Sequence, residues 1–158
     1  MAAVSIHSMA DRPDWTRAVA RWWHAQWGEA MGYTPEGGIA AIESLNAPEG
    51  RQAALVALVD DVPAGSVFLT DRDLQTHRHL RPWLAGLYVL PEFRGQGVGE
   101  ALMAAALDRA AYFGYDATYL YTAAPDYYRK RNWQTLETVL IGEEPHAIMQ
   151  FRLEEPAR

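Results

Sequence analysis

Apolar and polar positions alternate in blocks that divide the chain into short strands and helices. Val4 to His7 reads as a first strand. Asp11 to Asp14, with Pro13 early in the turn, has the character of a helix start. Trp15, Val19, Trp22, Trp23 and Trp27 then recur at helical intervals, predicting a helix over Trp15 to Trp27. Gly32 to Gly38, containing Pro35, is predicted as a loop, and Ile39, Ile42 and Leu45 as the apolar side of a second short helix that stops near Pro48. Ala53 to Val59 and Ser66 to Thr70 form a strand pair joined through Asp60 to Gly65, followed by a polar, irregular Asp71 to Pro82. Gly86 to Leu90 is the next strand. Leu102, Ala106, Ala110 and Phe113 keep an apolar line along a long helix that Gly114 ends. Asp116 to Thr122 is a strand, a short helix surrounds Tyr128, and Gln134 to Ile141 with Ala147 to Leu153 forms a closing hairpin around Gly142 to Pro145.

This order predicts one α/β domain over residues 1–158, long enough to bury a sizeable core. Hydrophobic residues make up 49% and charged residues 22%, ordinary for a globular chain. No apolar run approaches twenty residues and the N-terminus lacks a signal pattern, so the expectation is a cytoplasmic protein without a membrane partner. The net charge of −6 argues against nucleic acid as a partner and is compatible with a cationic substrate. With no cysteine there is no disulfide, thiolate nucleophile or cysteine zinc site, and the histidines lack binding spacing, so no metal is expected.

The chemistry concentrates between Leu87 and Glu100. An apolar run, Leu87, Tyr88, Val89 and Leu90, ends at Pro91, and Gly95, Gly97 and Gly99 follow Arg94 just before the long helix. Glycines at a helix start let a ligand approach the backbone, where free N–H groups and the helix dipole favour phosphate. The loop is not a P-loop, because Glu100 and Ala101 stand where Lys and Ser/Thr would be needed. It is not a dinucleotide fingerprint, because the third glycine would fall on Leu102 or Glu100.

The form Arg94-x-x-Gly97-x-Gly99 after a strand resembles the pyrophosphate-binding motif of the GCN5-related N-acetyltransferase (GNAT) superfamily. Further on, Tyr128, Asn132 and Trp133 are similar to that family's tyrosine and the Gly-Phe pair after it. Asn is a sensible stand-in for Gly because both tolerate the left-handed conformation that ends a helix. The resemblance implies a mixed, mostly antiparallel sheet flanked by helices, with two splayed parallel strands forming a cofactor cleft. It implies acetyl-coenzyme A as cosubstrate, with the pantetheine arm on Leu87, Tyr88 and Val89. The phosphates would lie over Arg94, Gly95, Gln96, Gly97, Val98, Gly99 and Glu100. Tyr128 would be the general acid that protonates the departing thiolate, since a phenol with a pKa of about 10 stays protonated. Transfer would go directly to a primary amine in a ternary complex.

Two departures stand out. Many members carry a glutamate near the position of Gly86, and the asparagine often found before the tyrosine helix has no counterpart in Thr122-Ala123-Ala124. Candidates for the base are therefore open among Asp71, Asp73, Glu29, Glu144, His24 and His146. On the acceptor side, Trp27 and Trp83 are expected as pocket walls, each with core packing as the alternative, and Asp73 as a partner for a cationic amine. The acceptor is expected to be a small-molecule amine, with the N-terminus of a peptide or protein as runner-up, and the protein a monomer or homodimer. A non-catalytic acyl-coenzyme A-binding module is the reading from another class, favoured by Gly86 and opposed by Tyr128.

Overall fold

A computed structural model describes residues 3–71 and 73–153. The strands are β1 (Val4–Ser8), β2 (Ala53–Val59), β3 (Val62–Thr70), β4 (Trp83–Val89), β5 (Ala117–Thr122), β6 (Gln134–Ile141) and β7 (Glu144–Arg152). The helices are α1 (Pro13–Trp23), α2 (Pro35–Ser44), α3 (Val98–Tyr112) and α4 (Pro125–Arg129). One sheet holds all seven strands in the order β1-β2-β3-β4-β5-β7-β6. Every pairing is antiparallel except β4 with β5.

β2 explains the layering. All seven of its residues are buried, and strand alternation sends successive side chains to opposite faces. Leu55, Ala57 and Val59 pack with Val98, Leu102 and Ala106 of α3 on one face. Ala54, Val56 and Leu58 pack with Trp15 and Val19 of α1 and Ile42 of α2 on the other. α1 and α2 cover the β1–β3 half of their face, whereas residues of β5 and β7 on that face, such as Tyr121 and His146, are only partly buried.

Several boundaries differ from the sequence expectation, each for a local reason. α2 starts at Pro35, not after Gly38, because the Thr34 hydroxyl accepts from the Gly37 N–H and Pro35 occupies the first helical position. β3 starts at Val62 because Asp60 and Asp61 take the positive-φ positions of a two-residue turn. β4 starts at Trp83, paired with Thr70, and β7 starts at Glu144, paired with Ile141. α1 continues through a π-helical turn at His24–Gly28 rather than as regular α-helix.

Candidate active site

β4 and β5 share a single pair, Trp83 with Tyr119, and the Tyr119 N–H donates to the Pro82 carbonyl beneath it. Beyond that rung the two strands diverge, leaving the β5-facing edge of β4 without a neighbour. Leu87 and Val89 point toward α3, and Tyr88 points toward α1.

The glycine loop closes the open end of the splay. Gly95 and Gly97 both have left-handed backbones, φ 78° and 81°, which side chains disfavour. A Cβ at Gly95 would meet nothing within 4 Å, and one at Gly97 only the Glu100 carboxylate at 3.8 Å. The backbone is therefore bare on its outer side, with the first N–H groups of α3 unclaimed by any side-chain cap. Val98 and Leu102 pin this turn by full burial, contributing about 1.5–3 kcal/mol each. That exceeds the cost of about 1 kcal/mol for Gly99 within the helix. The loop is rigid scaffold with an open backbone, which fits a pyrophosphate.

A cleft of about 570 Å³ runs from the β4 edge across this loop to α4. Leu87, Tyr88, Val89, Arg94, Gly95, Gly97, Val98, Gly99 and Glu100 line it, together with Phe93, Tyr127 and Tyr128. Gln96 does not; its amide turns toward the Glu92 carbonyl. Arg94 donates through Nε to the Val89 carbonyl at 2.9 Å, and its guanidinium lies over the Tyr88 ring. Sequence reading did not place Tyr127 or Arg131 in the site. Arg131 lies 3.7 Å above the Tyr127 ring and donates to Glu100 at 2.6 Å, offsetting a negative charge that would oppose phosphate. Adjacency to Tyr128 was the available signal for both.

Tyr128 sits on α4 against Tyr127 and Trp133. Burial raises its phenol above the usual value, Tyr127 adds to the rise, and Arg131 opposes it. Asn132 adopts φ 72°, the left-handed conformation its resemblance to a glycine predicts, and this turns Trp133 into the core.

The residues expected on the acceptor side lie on or near the α1 face of the splay. Trp27, in the π-helical turn, is 37% exposed and packs edge-on against Tyr88, while Gln26 donates to the Tyr88 hydroxyl. Trp83 is not a pocket wall: it is fully buried, its indole N–H donates to the Leu80 carbonyl, and it backs the face through Tyr119 and Tyr121. Asp73 is partly buried and forms no ion pair or side-chain hydrogen bond among the described residues; burial pushes its carboxyl up to about 6. The Tyr121 phenol is pushed up to about 12 by burial and then by the charge of Asp73. Gly86 has φ 59° and lies beneath Phe68, so β4 carries no carboxylate there.

This geometry has known counterparts. The model of the acetyltransferase (GNAT) family matches residues 13–133. The chain belongs to the GNAT acetyltransferase family. Membership makes it an acetyltransferase whose acyl donor is acetyl-coenzyme A. Among solved structures, yncA of Salmonella typhimurium with its cofactor acetyl-CoA is similar at 17% identity and TM-score 0.73, covering 99% of this chain and 97% of its own. An aminoglycoside 6'-N-acetyltransferase complexed with coenzyme A is 15% identical with TM-score 0.75, covering 98% and 99%. Ard1 from Thermoplasma volcanium is 20% identical with TM-score 0.71, covering 97% and 99%. At these identities the likenesses show the fold. No curated protein sequence matches this GNAT chain significantly.

Proposed function

We propose that this GNAT protein transfers the acetyl group of acetyl-coenzyme A directly to a primary amine of a small molecule within a ternary complex. The observation that carries this reading is the one-rung junction of β4 and β5. The gap opens toward the glycine loop and α4 on one side and toward an aromatic face on the other, so donor and acceptor can meet without a covalent relay. The free edge of Leu87, Tyr88 and Val89 bonds the pantetheine arm as a missing strand would. One N–H there polarises the thioester oxygen. The N–H groups of Gly95 to Gly99, with Arg94 beside them, take the pyrophosphate. Tyr128 donates its proton to the thiolate as the carbon–sulfur bond breaks.

On the acceptor side Tyr88, Trp27 and Tyr121 present aromatic rings, which attract an organic cation, with Asp73 as the nearby negative charge. A second reading, a peptide N-terminal amine as acceptor, is supported by the thinly covered face of β5 and β7, which leaves room for an extended chain.

Calorimetry with acetyl-coenzyme A on the wild type and on a Gly97→Glu, Gly99→Glu double variant tests the donor site. Binding by the wild type and its loss in the variant is the expected result; no binding by the wild type would overturn the reading. A turnover screen with small amines and a short peptide then separates the two acceptor classes.

A further inference from the structure

The first turn of α3 is met from across the splay by α4. Gly99 lines the cleft, and a Cβ built on it would stand 3.4 Å from the Tyr127 hydroxyl and 3.8 Å from Cγ2 of Val89. Tyr127 therefore reaches from the β5 side of the gap to the β4 side. Its hydroxyl comes down beside the N–H groups that open α3, which no side chain caps.

Tyr127 is 38% exposed, and its hydroxyl forms no hydrogen bond among the described residues. The ring is held in place all the same. Arg131 lies 3.7 Å above it, donates through Nη1 to the Tyr127 carbonyl at 2.8 Å, and donates through Nη2 to Glu100 at 2.6 Å. On its other side the ring meets Tyr128 edge-on, with centroids 5.0 Å apart. A fixed side chain with a free polar end, on the wall of a cleft, is built to meet a ligand.

The local charge says which kind. The N-terminal end of the α3 dipole is positive, and so is the guanidinium over the ring. The nearby negative charge, Glu100, is already paired with that guanidinium. A hydroxyl donating at this point suits an anionic oxygen, and hydrogen bonds to charged oxygens are among the stronger ones. We propose that Tyr127 is a donor-binding residue whose hydroxyl donates to a pyrophosphate oxygen of acetyl-coenzyme A over Gly99, strapping the donor across the splay between α3 and α4.

This role rests on the pyrophosphate lying over the glycine loop, as given above. It separates the two adjacent tyrosines by task. Successive residues of a helix point about 100° apart, so Tyr127 lies toward Gly99 while Tyr128 packs on Trp133. Tyr127 serves the phosphate end and acts on affinity; Tyr128 serves the sulfur end and acts on turnover. Gly99 gains a further reason to be glycine, because a side chain longer than a methyl would push the Tyr127 hydroxyl away.

The test is calorimetry with coenzyme A and with dephospho-coenzyme A, which keeps the pyrophosphate and lacks the 3'-phosphate. It is run on the wild type, Tyr127→Phe, Tyr127→Leu and the Gly97→Glu, Gly99→Glu variant, with thermal unfolding of each and steady-state turnover of the two Tyr127 variants. Phenylalanine keeps the ring and its contact with Arg131, so its melting temperature should match the wild type. The expected result is affinity about tenfold weaker for both ligands in Tyr127→Phe, with the donor KM raised by the same factor and kcat changed less than threefold. Tyr127→Leu, which also gives up the arginine contact, should lose at least as much. Affinity within twofold of the wild type in Tyr127→Phe would overturn the role while leaving the loop placement intact. So would a loss seen with coenzyme A and absent with dephospho-coenzyme A, which would move the hydroxyl to the 3'-phosphate. A fall in kcat with affinity intact would make Tyr127 the acid and overturn it equally. Undiminished binding by the Gly97→Glu, Gly99→Glu variant would overturn the loop placement and the role of Tyr127 together.

Discussion

The ring of Phe68 lies where any side chain on Gly86 would have to go, with Cδ2 and Cε2 at 2.5 and 2.6 Å from the built Cβ position. Gly86 is also left-handed, and two residues of β4 there oppose one of β3, a bulge in the ladder. Gly86→Ala therefore combines backbone strain of about 1–2 kcal/mol with overpacking of about 1–3 kcal/mol. Chemical denaturation should show a loss of at least about 2 kcal/mol, and Gly86→Glu should lose more without gaining activity. A Gly86→Ala variant as stable as wild type would remove this account of the missing glutamate.

Tyr128→Phe deletes a hydroxyl for which no hydrogen bond is formed among the described residues, so folding should be nearly unaffected. Turnover should fall about 100-fold while acetyl-coenzyme A affinity by calorimetry stays within about twofold. Because the phenol is raised by burial, the wild-type rate should not lose its acid function below pH 10. Equal losses of turnover and affinity would assign Tyr128 to binding instead.

Asp73 carries a stability penalty at neutral pH. Its folded carboxyl is raised from 3.8 to about 6 by burial, so the folded state holds the proton more tightly than the unfolded chain. Stability from this group is fully present below pH 4 and is lost as pH rises through 6. Asp73→Asn removes the penalty. It should gain about 1–3 kcal/mol at pH 7.5 and almost nothing at pH 4, read from urea midpoints at the two pH values. A variant less stable at pH 7.5 would mean that Asp73 has a stabilising contact.

Asn132 ends α4 with φ 72°. Glycine there should be neutral or stabilising by up to about 1 kcal/mol, whereas Asn132→Val should lose about 1–2 kcal/mol. A thermal melt that ranks valine above glycine would contradict the left-handed end that turns Trp133 into the core.

Much of this was legible from local pattern. The order of elements, the Arg94 to Gly99 loop and the asparagine turn are short-range features, written in residues a few positions apart. What could not be read depends on distant partners. Asp73 acts by its charge on the phenol of Tyr121, 48 residues later in the chain by their numbers. The burial of Trp83 follows from Tyr119 and Tyr121 closing over it. The absent glutamate looked like a lost catalytic group until Phe68, 18 residues earlier, filled its place. The pairing of Arg131 with Glu100 reaches from the end of α4 back to the first turn of α3, across the whole of β5 in sequence.

The single rung between Trp83 and Tyr119 divides the sheet into two leaves, β1 to β4 and β5 to β6, stitched at one end like the spine of a book. Backbone hydrogen bonds that most sheets make while folding are here held in reserve on the inner margin of β4. In the proposed binding mode a donor lying along that margin completes them, so binding would finish the architecture as well as start the reaction. Amide exchange along Leu87 to Val89 should slow when the gap is filled, and the protein should pass from a looser body when empty to a stiffer one when loaded.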